Sequence, residues 1–362
     1  MGARVSDQLP DEVQQCLTEL GVHYSDFEKV TRGASGYLWF AKNRLTQAEV
    51  AIKFYAGESG ALRHDEPRLL SQLRSANILS IHDARNVSED WAYFITPRCD
   101  GGDLDDYIKS RPSVHASVDA ILGISHGVSE IHSHGMVHRD LKPANIVMDG
   151  AVPRIADFGT VRVLDAASSV TTASQHSGLY RPPESWITNT YTRSGDVYQL
   201  GLVAYQLLGG VLPYDGRQYL SNSQHKLYEA MSDECERSLL VDAAMLKRAQ
   251  NCTLANFSTL PPWISAAGKR SLRQLLHPNP AERISSMADL TAAMHRLRGE
   301  TADWSFNGAV AILATQDKNY ELRPTDSGLF EPFQRKNGAF RRVPGLSPGT
   351  LSELVRACSS RV

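Results

Sequence analysis

The sequence predicts an α+β protein: a β-rich first part, a second part with a long apolar helix, and a small α/β appendage at the end. Three observations carry this reading. Short strand-like runs, Phe27 to Val30, Tyr37 to Ala41, Val50 to Lys53 and Ala92 to Thr96, fall in the first hundred residues. Beyond them the most apolar stretch, Val197 to Leu208, is helix-like. Near the end, Ala309 to Leu313 reads as a strand, and Lys336-Asn337-Gly338-Ala339 carries a hairpin signal. Thr350 with Glu353 then forms a capping box that opens a terminal helix through Cys358.

A chain of 362 residues holds one large two-lobed domain with an appendage, or two to three average domains. Its 42% hydrophobic and 22% charged residues are ordinary for a soluble globular protein. A formal charge of −2 predicts no general attraction to nucleic acid. Cys16, Cys99, Cys235, Cys252 and Cys358 are odd in number and lack CxxC spacing, which points to reduced thiols in a cytoplasmic setting. Gln199, Gly201 and Gln206 interrupt the most apolar stretch, so no transmembrane segment is expected. Met1 to Ser6 match the pattern for myristate on Gly2, which is read as a chance match.

In chain order, Val13, Cys16, Leu17 and Leu20 recur at helical spacing behind Asp11 and Glu12, which predicts a packing helix. Thr31 to Gly36 is a turn between two strands whose glycines, Gly33 and Gly36, let backbone N–H groups approach phosphates. Alone it is a hairpin turn like many others. Its weight comes from Val50-Ala51-Ile52-Lys53, spaced so that a further strand returns beneath the loop. The stretch His138-Arg139-Asp140-Leu141-Lys142-Pro143-Ala144-Asn145-Ile146-Val147 is followed by Asp157-Phe158-Gly159. A carboxylate, a lysine, an amide oxygen and a second carboxylate in that order supply a positioned nucleophile, charge neutralisation and Mg²⁺ ligands, as phosphoryl transfer requires.

These residues closely resemble the protein kinase catalytic loop and its Asp-Phe-Gly. Pro143 after Lys142, together with Ser177, resembles the serine/threonine branch. The resemblance implies a two-lobed kinase fold over residues 27–298, with an N-lobe at 27–96, a hinge at 97–103 and a C-lobe at 104–298. Residues 1–26 are then an extension carrying the packing helix, and 299–362 a module in which no family is recognised. It implies ATP and Mg²⁺ as cofactors, proteins with Ser/Thr acceptors as substrates, and a role in signalling. Two other classes remain alternatives: a nucleotide-binding scaffold that signals by conformation, and a kinase of small molecules.

Residue by residue, the resemblance makes Lys53 the partner of the α and β phosphates, with Glu66 as its ion-pair partner and Glu58 as the rival. Pro67 requires the helix to begin near Asp65, because proline is tolerated in a first turn. Thr31 stands where the family has its first loop glycine. Leu38 and Ala51 would roof the adenine and Val147 would floor it. Thr96 would guard the pocket behind, the Pro97 carbonyl and Cys99 N–H would bond the base, and Asp103 would face the ribose. Asp140 would orient or deprotonate the acceptor hydroxyl, Lys142 would meet the γ-phosphate, and Asn145 and Asp157 would hold Mg²⁺. Leu70, Ile81, His138 and Phe158 would stack into a column joining the lobes.

After Gly159 the chain is rich in Ser and Thr. Because Arg139 commonly meets a phosphate there in such kinases, activation by phosphorylation is expected at Ser168, Ser169, Thr171, Thr172 or Ser174. Ser177 would touch the catalytic Asp, Glu184 would pair with Arg283, and Asp196 would brace the catalytic loop. Pro213 to Trp263 is longer than the family needs by about two dozen residues. Leu227 to Met231 and Leu239 to Leu246 within it look helical.

Overall fold

Alternating burial builds the first lobe of the computed structural model, which describes residues 9–30, 36–56, 65–171, 178–336 and 338–362. Helix α1 (Asp11–Leu20) precedes strands β1 (Tyr24–Val30), β2 (Tyr37–Asn43) and β3 (Glu49–Ala56), then helix α2 (Asp65–Leu70) and strands β4 (Asp83–Asn86) and β5 (Trp91–Pro97). The strands form one sheet in the order β1-β2-β3-β5-β4. Registers Trp39↔Ile52 and Ile52↔Ile95 place Tyr37, Trp39, Val50, Ile52, Phe54 and Ile95 on one face, where Val13 and Leu20 of α1 cover them. Leu38, Ala51, Lys53 and Thr96 therefore share the opposite face, by the strand period of two. β1 starts three residues ahead of the expected Phe27, because a bulge between Ser25 and Glu28, with Asp26 at φ 56°, breaks the alternation that marks a strand.

The second lobe is mostly helical. Helices α3 (Leu104–Lys109) and α4 (Val114–Ser133) lead to β6 (Met136–Val137), β7 (Ile146–Asp149), β8 (Val152–Ile155), β9 (Arg162–Val163) and β10 (Val170–Thr171). Then come α5 (Pro183–Thr188), β11 (Thr190–Tyr191), α6 (Arg193–Leu207), α7 (Asn222–Ala230), α8 (Glu234–Gln250), α9 (Ala266–Leu275) and α10 (Met287–Glu300). Every residue of α6 from Gly195 to Leu207 is buried, as befits a helix packed on all sides. A Cβ on Gly195 would lie 2.4 Å from the Tyr191 ring, so only glycine fits there. The stretch between Pro213 and Trp263 is ordered as expected, in α7 and α8.

The appendage is a five-stranded antiparallel sheet, β12 (Trp304–Asn307), β13 (Val310–Ala314), β14 (Asn319–Pro324), β15 (Phe330–Arg335) and β16 (Arg341–Arg342), in sequence order, closed by α11 (Leu351–Ser359). Its inner residues Trp304, Ala311, Leu313, Tyr320, Leu322 and Cys358 belong to the same apolar core as α4, α6 and α10. Trp304 stacks on Trp263 at 5.8 Å and 10° between planes. His115 donates its backbone N–H to Asp303. The capping box is present, with Thr350 N–H donating to Glu353 Oε2 at 2.9 Å.

Candidate active site

Strand β3 carries Lys53 into the face shared with Leu38, Ala51 and Thr96, over the Phe94 ring. Its Nζ lies 3.0 Å from Glu66 Oε1 and 3.2 Å from Asp157 Oδ1. Of the two rivals for Lys53, Glu66 is thus the one paired with it; Glu58 lies outside the described residues. α2 begins at Asp65, so Pro67 sits in the first turn, where its missing N–H costs nothing. Glu66 Oε1 also accepts the Phe158 N–H at 3.0 Å, which ties α2 to the Asp-Phe-Gly segment.

Burial opposes the charge on Lys53, yet the Glu66 and Asp157 carboxylates outweigh it and hold the ammonium above its ordinary pKa. Burial likewise pushes Asp157 up, but Lys53 prevails and holds its carboxyl below the usual value. Asp157 has φ 57°, a left-handed backbone rarely adopted outside glycine and asparagine-like residues. Phe158 is fully buried and meets the buried His138 ring edge-on at 5.4 Å. Leu70 is buried in the same core, with Ile81 packed against it, so the four column residues share one cluster of contacts.

Asp140 is buried. Its Oδ2 accepts from Lys142 Nζ at 2.6 Å and from Asn145 Nδ2 at 2.9 Å. Its Oδ1 is also buried and meets no donor among the described residues. Asn145 Nδ2 further donates to the Asp140 carbonyl at 2.8 Å. With its NH₂ committed, the amide oxygen is the end left for a cation. No group of three or more His, Cys, Asp or Glu among the described residues could hold a metal by itself. An Asp and an Asn supply hard oxygen ligands suited to a Mg²⁺ that keeps water and phosphate oxygens as its remaining ligands.

The loop is held from below by two side chains of α6. Asp196 accepts the N–H groups of His138 and Arg139, both at 2.9 Å, along with His132 Nε2 at 2.8 Å and the Tyr191 hydroxyl. Gln199 accepts the Leu141 N–H at 2.8 Å and donates to the Arg139 carbonyl at 2.9 Å. Asp196 was legible as a brace, whereas Gln199 read only as a polar interruption of an apolar helix. Its position one turn after Asp196, on the same helix face, was the available signal. Gln199→Met should strand the Leu141 N–H and the Arg139 carbonyl, costing about 1–3 kcal/mol for each group left unmet. Urea denaturation of the variant measures this directly.

Burial raises the Asp196 pKa less than His132, His138 and the loop N–H groups lower it, so it stays below the ordinary 3.8. A depressed carboxyl gives stability that is fully present above its unfolded pKa and is lost as pH falls through the folded value. The stability gap between wild type and Asp196→Asn should therefore be wide at neutral pH and close only below pH 3.8. Denaturation midpoints taken across pH test the sign.

At the hinge, the Pro97 carbonyl accepts from the buried Thr96 hydroxyl at 3.2 Å and retains a second lone pair. Burial, with Asp149 nearby, pushes the Cys99 thiol up to about 11. Arg98 lies over the Phe40 ring at 4.2 Å. Asp103 pairs with Val147 in an isolated bridge, and its Oδ1 caps α3 by accepting the Asp106 N–H at 3.0 Å. The residue expected to face the ribose thus already commits one oxygen to a helix end, a use that Asp at such a position commonly has.

Gly36 has φ 128°, and a Cβ there would lie 2.1 Å from the Phe54 carbonyl oxygen. Gly33 and Thr31 lie outside the described residues, as do Thr172, Ser174, Ser177 and the Met1-Gly2 pattern. Ser168 and Ser169 form a turn on Asp165, whose carboxylate accepts the Ser169 N–H at 2.9 Å. Thr171 follows in β10, whose backbone pairs with β11. Arg139, at φ 73°, donates to the Thr160 carbonyl at 2.7 Å. Burial and then the neighbouring Arg162 guanidinium lower its pKa. Arg283 forks onto Glu184 with bonds of 2.7 and 2.6 Å, as the sequence led one to expect.

The family model described as the protein kinase domain matches residues 24–295, and the chain belongs to that family. It is a serine/threonine protein kinase that uses ATP. Among similar proteins, the mitogen-activated protein kinase HOG1 of Phaeosphaeria nodorum is 29% identical over 316 residues, 80% of this chain and 87% of that protein. The hog-1 kinase of Neurospora crassa is 31% identical over 211 residues, covering 56% of this chain and 58% of that one. The hog1 kinase of Blastobotrys adeninivorans is 28% identical over 332 residues, 84% and 80% of the two chains.

Proposed function

We propose that the chain phosphorylates Ser/Thr hydroxyls of proteins with Asp140 as the proton acceptor, and that it is switched on by phosphorylation between Ser168 and Ser174. The observation that carries the first part is Asp140 Oδ1. It is a buried carboxylate oxygen with no donor among the described residues, beside an oxygen fully engaged by Lys142 and Asn145. Burying an unmet acceptor is costly, so it is best understood as the seat of a substrate hydroxyl.

Lys53 meets the α and β phosphates, Lys142 the γ-phosphate, and Asn145 and Asp157 hold Mg²⁺, which when bound neutralises charge on the phosphates. Leu38, Ala51 and Val147 enclose the adenine, Gly36 lies over the phosphates, Thr96 closes the pocket behind, and Pro97 and Cys99 bond the base. The intact Lys53–Glu66 pair disfavours a purely conformational scaffold.

The second part is supported by the electrostatics at Arg139. Burial and then the neighbouring Arg162 guanidinium oppose the charge on Arg139, and a phosphate bearing roughly −1.5 to −2 charges would offset this. On this reading the substrate is a protein, the activation an added phosphate, and the site of action the cytoplasm. Among the described residues no helix is long and apolar enough to cross a membrane. Incubation of purified chain with γ-labelled ATP and Mg²⁺ tests this: label should appear on Ser or Thr, and phosphatase treatment should lower transfer to a protein substrate. Full activity in the wholly dephosphorylated chain would remove the switch, and absence of label would remove the transfer reading.

A further inference from the structure

The appendage sheet has one face in the common core, and on the other face Ile312, Glu321, Arg323 and Phe333 are part-exposed. Register places a continuous outer row across its strands: Ser305 opposite Ile312, Ile312 opposite Glu321, Glu321 opposite Phe333, and Phe333 opposite Arg342. Beside that row stand Arg323 opposite Glu331 and Asn319 opposite Arg335. The cations are organised on rings. Arg323 lies 4.3 Å from the Phe333 centroid and 5.4 Å from Phe340, and Arg335 lies 4.7 Å from Phe340.

Two carboxylates on this face are already matched, Glu321 by Arg323 at 2.7 Å and Glu331 by Arg342 at 2.6 Å. The stretch Arg335-Lys336-Asn337-Gly338-Ala339-Phe340-Arg341-Arg342 contains four cations and no carboxylate. Arg335, Lys336 and Arg341 are exposed and form no ion pair among the described residues. Excess positive charge is therefore gathered at the β15–β16 end of a chain whose net charge is −2.

Charge on an edge strand can serve simply to discourage aggregation. That role needs only disordered lysines on the edge itself, whereas Arg323 and Arg335 stand on interior strands and are fixed over rings. A guanidinium stacked on an aromatic loses little further freedom when its N–H edge forks onto a carboxylate. Among the described residues no strand pairs with the outer edge of β16, the last in the order, which gives an extended segment a place to align.

We propose that this face binds an extended acidic segment of a protein partner, with apolar side chains of that segment resting on Ile312. Nucleic acid suits the surface less. The ring faces of Phe333 and Phe340 carry guanidiniums where bases would stack, and Glu321 and Glu331 would oppose a phosphate backbone. The inference goes beyond phosphoryl transfer and does not depend on it, because its readout is binding.

The test is calorimetric titration of the full chain with a synthetic peptide alternating Glu and Leu. The controls are a Lys-Leu counterpart, a thymidine oligonucleotide and vesicles containing phosphatidylserine. Saturable binding of the Glu-Leu peptide alone is expected, weakening as salt rises. Arg335→Glu with Arg341→Glu should lower its affinity by about tenfold or more, from reversal of two contacts. Arg341→Glu alone, an exposed change, should give part of that loss in a chain with unaltered circular dichroism. No binding of the Glu-Leu peptide, affinity unchanged by either variant, or tighter binding of the oligonucleotide or vesicles overturns the proposal.

Discussion

Asp140→Asn is expected to lower the rate of phosphoryl transfer by about 10²–10⁴ while leaving nucleotide binding in place. The expectation follows from the two unequal oxygens of Asp140. Oδ2 accepts from Lys142 and Asn145, and an amide oxygen in its place can still accept from both. The other end becomes an NH₂ at the position of Oδ1, where a proton acceptor is required. A group that can only donate there repels the substrate hydroxyl's proton and cannot take it. Lys53, Glu66 and the hinge lie on other elements, so ATP should bind with little change. Single-turnover transfer from γ-labelled ATP, measured beside a nucleotide titration, separates the two effects. Transfer close to wild type would end the assignment of Asp140.

Arg283→Ala is expected to cost about 3–5 kcal/mol of folding stability, the largest loss anticipated for a residue remote from the cleft. The Arg283 side chain has no solvent exposure and Glu184 has 18%, so truncation leaves a largely dry carboxylate without its countercharge. More is lost than the pair. Arg283 also donates to the carbonyls of His277 at 2.7 Å and Ser194 at 2.9 Å, and lies over the Tyr198 ring at 5.0 Å. Glu184→Gln keeps an acceptor and strands no carboxylate, so its cost should be clearly smaller. Chemical denaturation of both variants checks the order, and equal losses would mean that the charge pair, and not the carbonyl contacts, dominates.

The parts of the site written in contiguous or fixed-spacing residues were legible. The order from His138 to Asn145, the Asp-Phe-Gly, and Pro67 as a marker of where α2 must begin all carried over to geometry. Less legible was anything set by a side chain's second duty. Asp103 bonds the first turn of α3, a choice made by local backbone geometry and not by the motif around it.

The helices between Pro213 and Trp263 were found but drawn too short, since only their apolar residues were weighed. Their true starts are polar: Ser221 and Gln224 cap α7 reciprocally, and Asp233 caps α8 through the Cys235 N–H. Contacts between the large lobe and the appendage were not legible. Nothing in the local pattern around Trp263 announces that its ring will lie against Trp304 and Phe306.

That last contact bears on where this kinase can be cut. The family match stops at residue 295, yet Trp263 finds its aromatic neighbours beyond that boundary, and Arg298 beyond it reaches back to the His115 carbonyl on α4. A fragment trimmed to the match would leave indole and aliphatic surface bare on the large lobe, a sticky product in place of a minimal enzyme. The last sixty residues thus belong to the thermodynamic unit, whatever else they have come to do.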